Sequence, residues 1–263
     1  MGCDNLKSII LPFVGQLRNN ASTADITRNA TSVKTGERAF FGWIFGRKIT
    51  SASLRSLSSS ALSYNVPESL KTIQITDELV ISDQAFRDIT TIDEVILNEG
   101  IITIGEEAFM NTGIKQITIP ASVGLESEKA VLTETRDSKQ YGYIGARAFM
   151  NASSLNTVSF TPESHVYEIK DSVFENAISL VMTSLPNSVK LIDSRSFYNT
   201  ISITEFTISN NVLAIGSYAF ANDEDNRTKT KLQKFSFDDK CKIETLSEGT
   251  FKNAIKLQMT TLP

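Results

Sequence analysis

A short motif recurs along most of the chain, in which an aliphatic residue is followed five positions later by Phe. Successive Phe residues of the motif are separated by 23, 40, 25, 23, 23 and 31 positions, so the basic unit has about 23 residues and the longer intervals carry insertions. Such a period predicts a solenoid, because one unit can bury its apolar side chains only by stacking on its neighbours. The seven Phe residues, which we expect to form a buried ladder, are Phe86, Phe109, Phe149, Phe174, Phe197, Phe220 and Phe251.

A strand is predicted after each motif, because a second pattern places apolar residues at positions 0, 3 and 5 with mostly Thr, Ser, Gln, Lys and Glu between them. This alternation is typical of a strand with one buried face and one solvated face. Thr183 and Thr260 stand where the pattern expects an aliphatic residue, so we expect distorted strands there. The clearest frames are Leu70–Ile73–Ile75, Ile92–Val95–Leu97, Ile114–Ile117–Ile119, Leu155–Val158–Phe160, Ile203–Phe206–Ile208 and Leu232–Phe235–Phe237.

An Asn recurs two positions after the motif's Phe. Asn favours tight turns, and its amide can bond to nearby backbone groups. We therefore predict turn residues whose side chains satisfy the local backbone. They are Asn111, Asn151, Asn176, Asn199, Asn222 and Asn253.

The combined pattern Ile-x-x-x-Ala-Phe-x-Asn-x-x-x-Leu-x-x-Ile-x-Ile-Pro-x-Ser-Val resembles the BspA-like, or Treponema-type, leucine-rich repeats of microbial surface proteins. The resemblance covers nearly all of residues 64–263. LeuProPheValGly (Leu11–Gly15), followed later by PheGlyTrpIlePheGly (Phe41–Gly46), is similar to an inserted unit of such arrays. Period and resemblance together predict an α/β, strand-rich fold: a leucine-rich-repeat solenoid with a right-handed, curved parallel β-sheet and polar insertions.

The domain prediction is a single solenoid over residues 1–263 with one parallel strand per unit. Both ends of the sequence fall inside a repeat, so we expect a fragment of a longer array. Polar inserts are predicted at about 16–63, 121–140 and 221–231, all outside the sheet. Such inserts either carry the specific function or are decoration that a solenoid tolerates, and the sequence leaves both readings open.

Composition argues against several classes of function. The chain has a net charge of −4 and no apolar run near the roughly 18 residues of a membrane span, so neither nucleic acid binding nor membrane insertion is expected. Only His165, Cys3 and Cys241 could serve most nucleophilic or metal chemistry, so we expect no enzyme, cofactor or metal site. His165 is predicted in a solvated turn. The cysteines are predicted to be free, with Cys3 at a small buried position.

The functional hypothesis is a non-catalytic binding module on the cell surface or secreted, as the resemblance to adhesive surface proteins implies. Its ligand would be a protein or glycan, including host matrix proteins, bound through the inserts or through the outward strand face. That face is the concave, solvated side of the predicted sheet. An intracellular interaction scaffold is the alternative, which two free cysteines also fit. The candidate binding residues, in the middle of the outward strand face, are Asn156, Thr157, Val181, Met182, Thr204 and Glu205.

Overall fold

A computed structural model describes residues 3–15, 39–46, 64–127 and 132–258. Strands are numbered in chain order, and most of them belong to two ladders of parallel strands. The first ladder follows the predicted frames, and its strands are β1 (Ser8–Leu11), β2 (Thr72–Ile75), β4 (Glu94–Ile96), β6 (Gln116–Ile119), β9 (Thr157–Phe160), β12 (Glu205–Ile208) and β14 (Lys234–Phe237).

The first ladder is a five-stranded sheet followed by a two-stranded one, and residues 181–185 lie between them. This segment forms no strand, but it continues the ladder through a single parallel bridge between Ser184 and Thr207. On its other side the Val181 N–H donates to the carbonyl of Asn156, 2.9 Å away. The distortion predicted at Thr183 is thus confirmed, and Thr260 lies outside the described residues.

A second ladder runs along the array, so the prediction of one strand per unit is wrong. Each of its strands has only two residues and ends at the aliphatic residue five positions before the motif's Phe. Two residues are too few to show alternation, so this ladder left no periodic signal in the sequence. Its strands are β3 (Val80–Ile81), β5 (Thr103–Ile104), β10 (Glu168–Ile169), β11 (Leu191–Ile192), β13 (Ala214–Ile215) and β15 (Thr245–Leu246).

The predicted Phe ladder is confirmed as one column of stacked rings. Neighbouring ring centroids are 5.0 to 6.1 Å apart, within the range of favourable aromatic contacts. Every ring of the column except that of Phe251 is buried. These rings and the aliphatic residues of both ladders form one continuous core.

Phe41 adds a further ring to the column, 5.3 Å from Phe86. Its N–H donates to the carbonyl of Ala85, just as the Phe86 N–H donates to Ala108. Residues 39–46, with the 3-10 helix Phe41–Phe45, therefore belong to the array. The predicted insert 16–63 is wrong in that part, and its remainder up to residue 63 lies outside the described residues.

The recurring Asn residues adopt the left-handed backbone conformation of a tight turn, with φ near +60° at Asn111, Asn151, Asn176, Asn199 and Asn253. Their amides, however, do not bond to local backbone as predicted. Asn151 donates to Asn111, Asn176 to Asn151 and Asn199 to Asn176, over 2.8 to 3.0 Å. The side chains therefore form an Asn ladder that joins successive repeats.

The other two inserts lie off the strands of both ladders, but residues 121–124 belong to the array, because Val123 is buried in the core and the Gly124 N–H donates to the Ile102 carbonyl over 3.0 Å. Within 121–140, strands β7 (Glu134–Arg136) and β8 (Lys139–Tyr141) form an antiparallel hairpin. Within 221–231 the chain makes turns, one of them closed by a hydrogen bond from the Arg227 N–H to the Asp223 carbonyl over 3.0 Å. No helix in the described ranges has the length and apolar character needed to cross a membrane.

Candidate functional site

The outward strand face carries five of the six predicted binding residues. Asn156, Thr157, Thr204 and Glu205 are exposed, and Val181 is 50% exposed. Asn156 precedes β9 and Thr204 precedes β12, while Val181 lies in the segment between these two strands. The structure therefore brings these residues together on three neighbouring rungs of the first ladder.

Met182 is the exception, because the sequence placed it on the outward strand face and the structure buries it. Its side chain is 7% exposed and packs in the core, while Thr183 is exposed instead. A Thr hydroxyl is costly to bury without a partner, whereas the flexible thioether of Met fills irregular gaps. The segment therefore buries Met182 instead of Thr183, which is the residue that the repeat pattern assigns to the core.

Charged residues of the outward strand face differ in whether they are paired. Lys115 forms an ion pair with Asp93 over 3.0 Å, and the Lys71 ammonium donates to the Thr91 carbonyl over 2.8 Å. Glu205 and Lys234 lie opposite each other on β12 and β14. Neither side chain forms an ion pair or a hydrogen bond with any residue that the structure describes. The Glu205 carboxylate is therefore available to a ligand.

A second apolar spot on the outward strand face was missed by the sequence analysis. Ile10 is 66% exposed and Ile96 is 41% exposed, and both pair in register with Gln74 between them. The three consecutive apolar residues Ile9, Ile10 and Leu11 could have indicated this exposed apolar spot. In an alternating strand, three consecutive apolar residues must place at least one on the solvated face.

Several titratable groups have shifted pKa values, and each belongs to a contact between repeats or with the hairpin. Burial opposes ionisation of Glu107, but hydrogen bonding from Arg147 and the charge of Arg87 outweigh it, and the pKa of Glu107 lies below its ordinary value. Burial, together with nearby carboxylates, raises the pKa of Tyr143 to about 12. Burial also raises the pKa of Glu168.

The residues considered for chemistry lie far apart in the array. His165 is exposed, as predicted, with Nδ1 at 2.9 Å from the Ala121 carbonyl oxygen, but it lies in irregular chain just after the turn at 162–163. Cys3 and Cys241 are free, but Cys3 is exposed rather than buried, because it stands in an irregular segment before β1. Across the described ranges, no three His, Cys, Asp or Glu side chains come together as metal ligands.

The repeats match the family model of the BspA type leucine rich repeat region, in six copies over residues 16–131 and 142–263. The chain belongs to this family. It is a leucine-rich repeat protein. No curated protein matches the chain.

Several solved structures are similar to this BspA-type chain. The leucine-rich repeat protein of T. pallidum matches with a TM-score of 0.51 and 20% identity, over 71% of this chain and 78% of that one. The pneumococcal vaccine antigen PcpA matches with a TM-score of 0.48 and 20% sequence identity, over 73% of this chain and 51% of that one. A leucine-rich cell surface protein of Faecalibacterium prausnitzii matches with a TM-score of 0.43 and 22% sequence identity, over 73% of this chain and 47% of that one. The chain thus spans about half the length of the last two proteins.

Proposed function

We propose that this chain is a non-catalytic, adhesin-like binding module of a cell-surface or secreted protein. It binds protein or glycan ligands of a host or of neighbouring cells, including matrix proteins, through the outward strand face or the inserts. The observation that carries the proposal is the cluster of Val181 with Asn156, Thr157, Thr204 and Glu205. It combines an exposed aliphatic side chain with hydrogen-bonding groups on adjacent rungs.

The cluster has properties expected of the centre of a binding surface. Its backbone is held on both sides, since Val181 N–H bonds to Asn156 and Gln233 N–H bonds to Thr204. Little conformational entropy is therefore lost when a ligand binds. The energy of protein interfaces is concentrated in a few central residues that are fully covered by the partner.

The alternative is an intracellular interaction scaffold, which the two free thiols favour, because reducing compartments keep cysteines unpaired. Antibody labelling of intact and permeabilised source cells distinguishes the two. Labelling of intact cells supports a surface module, and labelling that requires permeabilisation supports the scaffold.

The test of the outward strand face replaces Val181 and Glu205 with Lys. Binding is measured by surface plasmon resonance on a panel of purified extracellular matrix proteins and by a glycan array. We expect the double variant to bind its ligand at least tenfold more weakly, with an unchanged circular dichroism spectrum. Met182 is left intact because its substitution would disturb the core.

The matched control replaces Leu246 and Glu244, an exposed aliphatic residue and an exposed carboxylate at the second ladder. This variant introduces the same charge changes away from the outward strand face and should bind like the parent protein. Unchanged binding by the Val181 and Glu205 variant, with loss on deletion of the β7–β8 hairpin, would place the site in the inserts instead.

A further inference from the structure

A cavity of about 350 Å³ opens beside the turns that carry the Phe column. Its volume lies in the range of small-ligand sites. It is separate from the outward strand face, because its residues come from the motif turns and from the insert at 221–231. The residues used in the argument below are Arg195, Tyr198, Tyr218, Asn222, Asp223 and Lys252.

The cavity lies where the Asn ladder is interrupted. Asn199 donates to the Asp223 carboxylate over 2.8 Å, and Asn253 donates to the backbone carbonyl of Asn222 over 2.9 Å. Asn222, unlike its counterparts Asn199 and Asn253, has no left-handed backbone conformation. The insert at 221–231 therefore displaces the Asn222 side chain from the ladder, although the Asn222 N–H still donates to the Lys252 carbonyl of the next repeat over 2.9 Å.

Asn222 offers the cavity an amide that no group of the described ranges satisfies. The residue is 4% exposed and lines the cavity, yet its amide makes no hydrogen bond to any residue in the described ranges. The amide atoms of Asn222 are not fully enclosed by protein, so the amide can bond to water or to a ligand in the cavity. An amide offers both a donor and an acceptor, which is what a sugar hydroxyl requires.

The charges around the cavity are paired with one exception. The Arg195 guanidinium binds the Glu175 carboxylate, with Nε 3.0 Å from Oε2. The Asp223 carboxylate accepts hydrogen bonds from Asn199 and from Asn226. The Lys252 ammonium makes no ion pair or hydrogen bond within the described part of the chain. The cavity therefore presents a positive charge that lacks a partner.

Two tyrosine rings complete the cavity. Arg195 lies over the Tyr198 ring, 3.9 Å from its centroid, and the Lys252 ammonium lies 5.7 Å from the centroid of Tyr218. Both tyrosines are partly exposed and line the cavity. Their flat apolar faces beside polar groups suit a ligand that is apolar on one face and polar at its edge.

We propose that this cavity binds an acidic sugar, a hexuronic or sialic acid residue of a glycan. The sugar carboxylate pairs with Lys252, a ring hydroxyl bonds to the Asn222 amide, and the C–H face of the ring packs on a tyrosine. An acidic peptide side chain could satisfy Lys252, but it would offer neither a hydroxyl to Asn222 nor a ring to the tyrosines. The site is independent of the outward strand face.

The test measures binding of four small molecules by isothermal titration calorimetry and saturation-transfer NMR. They are methyl glucuronoside, N-acetylneuraminic acid, neutral methyl glucoside, and N-acetylglutamate, which has carboxylates but no sugar ring. We expect at least one acidic sugar to bind at least tenfold more tightly than both methyl glucoside and N-acetylglutamate. Equal binding of methyl glucoside, equal binding of N-acetylglutamate, or no binding of either acidic sugar overturns the proposal.

Variants locate the site. Lys252→Met should weaken binding of the acidic sugar at least tenfold, and because Lys252 is exposed the fold should be unaffected. Lys256→Met is the matched control, an exposed lysine outside the cavity lining, and should bind like the parent. Asn222→Ala should also weaken binding at least tenfold. An equal loss in the Lys256 variant, or no loss in the Lys252 variant, overturns the assignment of the site.

Discussion

Asn176 donates a hydrogen bond from its Nδ2 atom to Oδ1 of Asn151, 2.8 Å away, although 25 residues separate the two in sequence. An amide side chain carries a donor and an acceptor, so identical amides at a regular spacing can bond in a continuous line. The left-handed turn conformation holds each Asn in this position. The same residue type thus serves the turn within a repeat and the contact between repeats.

Substitution of Asn176 should separate these two roles. Asn176→Ala loses the amide and places a Cβ-bearing residue at φ +59°, so we expect a loss of about 2–3 kcal/mol in the free energy of unfolding. Asn176→Gly keeps the turn conformation and loses only the amide, so we expect a smaller loss of about 1–2 kcal/mol. Urea denaturation measures both. Equal losses in the two variants would show that the ladder bond, rather than the backbone conformation, sets the cost.

Phe197 is a buried ring inside the Phe column, 5.3 Å from Phe174 and 5.0 Å from Phe220. Phe197→Ala should cost about 3–5 kcal/mol, as other buried Phe truncations do. Hydrogen exchange should rise in both neighbouring repeats, because each repeat depends on the next. Phe251→Ala is the control at the partly exposed end of the column and should cost less. A loss below about 1 kcal/mol for Phe197→Ala would contradict this account.

The first ladder and the Phe column could be predicted from the sequence, because their apolar residues recur at fixed spacings over many units. It did not predict the place of Phe41, because Gly36 occupies the position where the motif has an aliphatic residue. Whether Met182 or Thr183 is buried depends on which of these adjacent side chains fills the core better. The spacing of apolar residues in the sequence carries no information about that fit. The cavity beside Asn222 could not be predicted from the sequence either, because it depends on where the insert interrupts the Asn ladder.

Glu107 joins three repeats, because its carboxylate binds Arg87 and Arg147, the latter with Nε at 3.0 Å. The lowered pKa of Glu107 means that its contribution to stability is present above the ordinary glutamate pKa of about 4.3. That contribution is lost as the pH falls through the lowered pKa of the folded state. Glu107→Gln should therefore lower stability by about 1 kcal/mol at pH 7, since the arginines are partly exposed.

The measurement for Glu107 compares urea midpoints of the parent and the Glu107→Gln variant from pH 7 to pH 3. The difference in the free energy of unfolding should shrink toward acid pH, because the parent's carboxylate becomes protonated there. Glu163→Gln is the control, since Glu163 is exposed. A difference that stays constant across this range would show that the altered hydrogen bonding of the side chain, rather than its charge, causes the effect.

Side chains of the β7–β8 hairpin and of the second ladder hold the hairpin against that ladder. The Arg136 guanidinium lies between two tyrosine rings, 4.1 Å from the centroid of Tyr141 on the hairpin and 4.4 Å from that of Tyr167, which directly precedes β10. Thr103 of β5 anchors the same insert, because its hydroxyl donates to the Leu132 carbonyl over 2.7 Å. A cation between aromatic faces contributes about 0.5–2 kcal/mol, depending on how far it is shielded from water.

Arg136→Met keeps much of the packing volume of the arginine side chain but removes its charge, so the hairpin should detach more often while the repeats stay folded. Hydrogen exchange should rise over residues 134–141, and the urea midpoint of the whole chain should change little, because the hairpin pairs with neither ladder. Lys139→Met is the control: it removes the charge of an exposed hairpin residue whose ion pair in the described ranges is with Glu126, and exchange over residues 134–141 should rise less than in Arg136→Met. Faster exchange throughout the array in Arg136→Met would instead mean that the hairpin supports the solenoid itself.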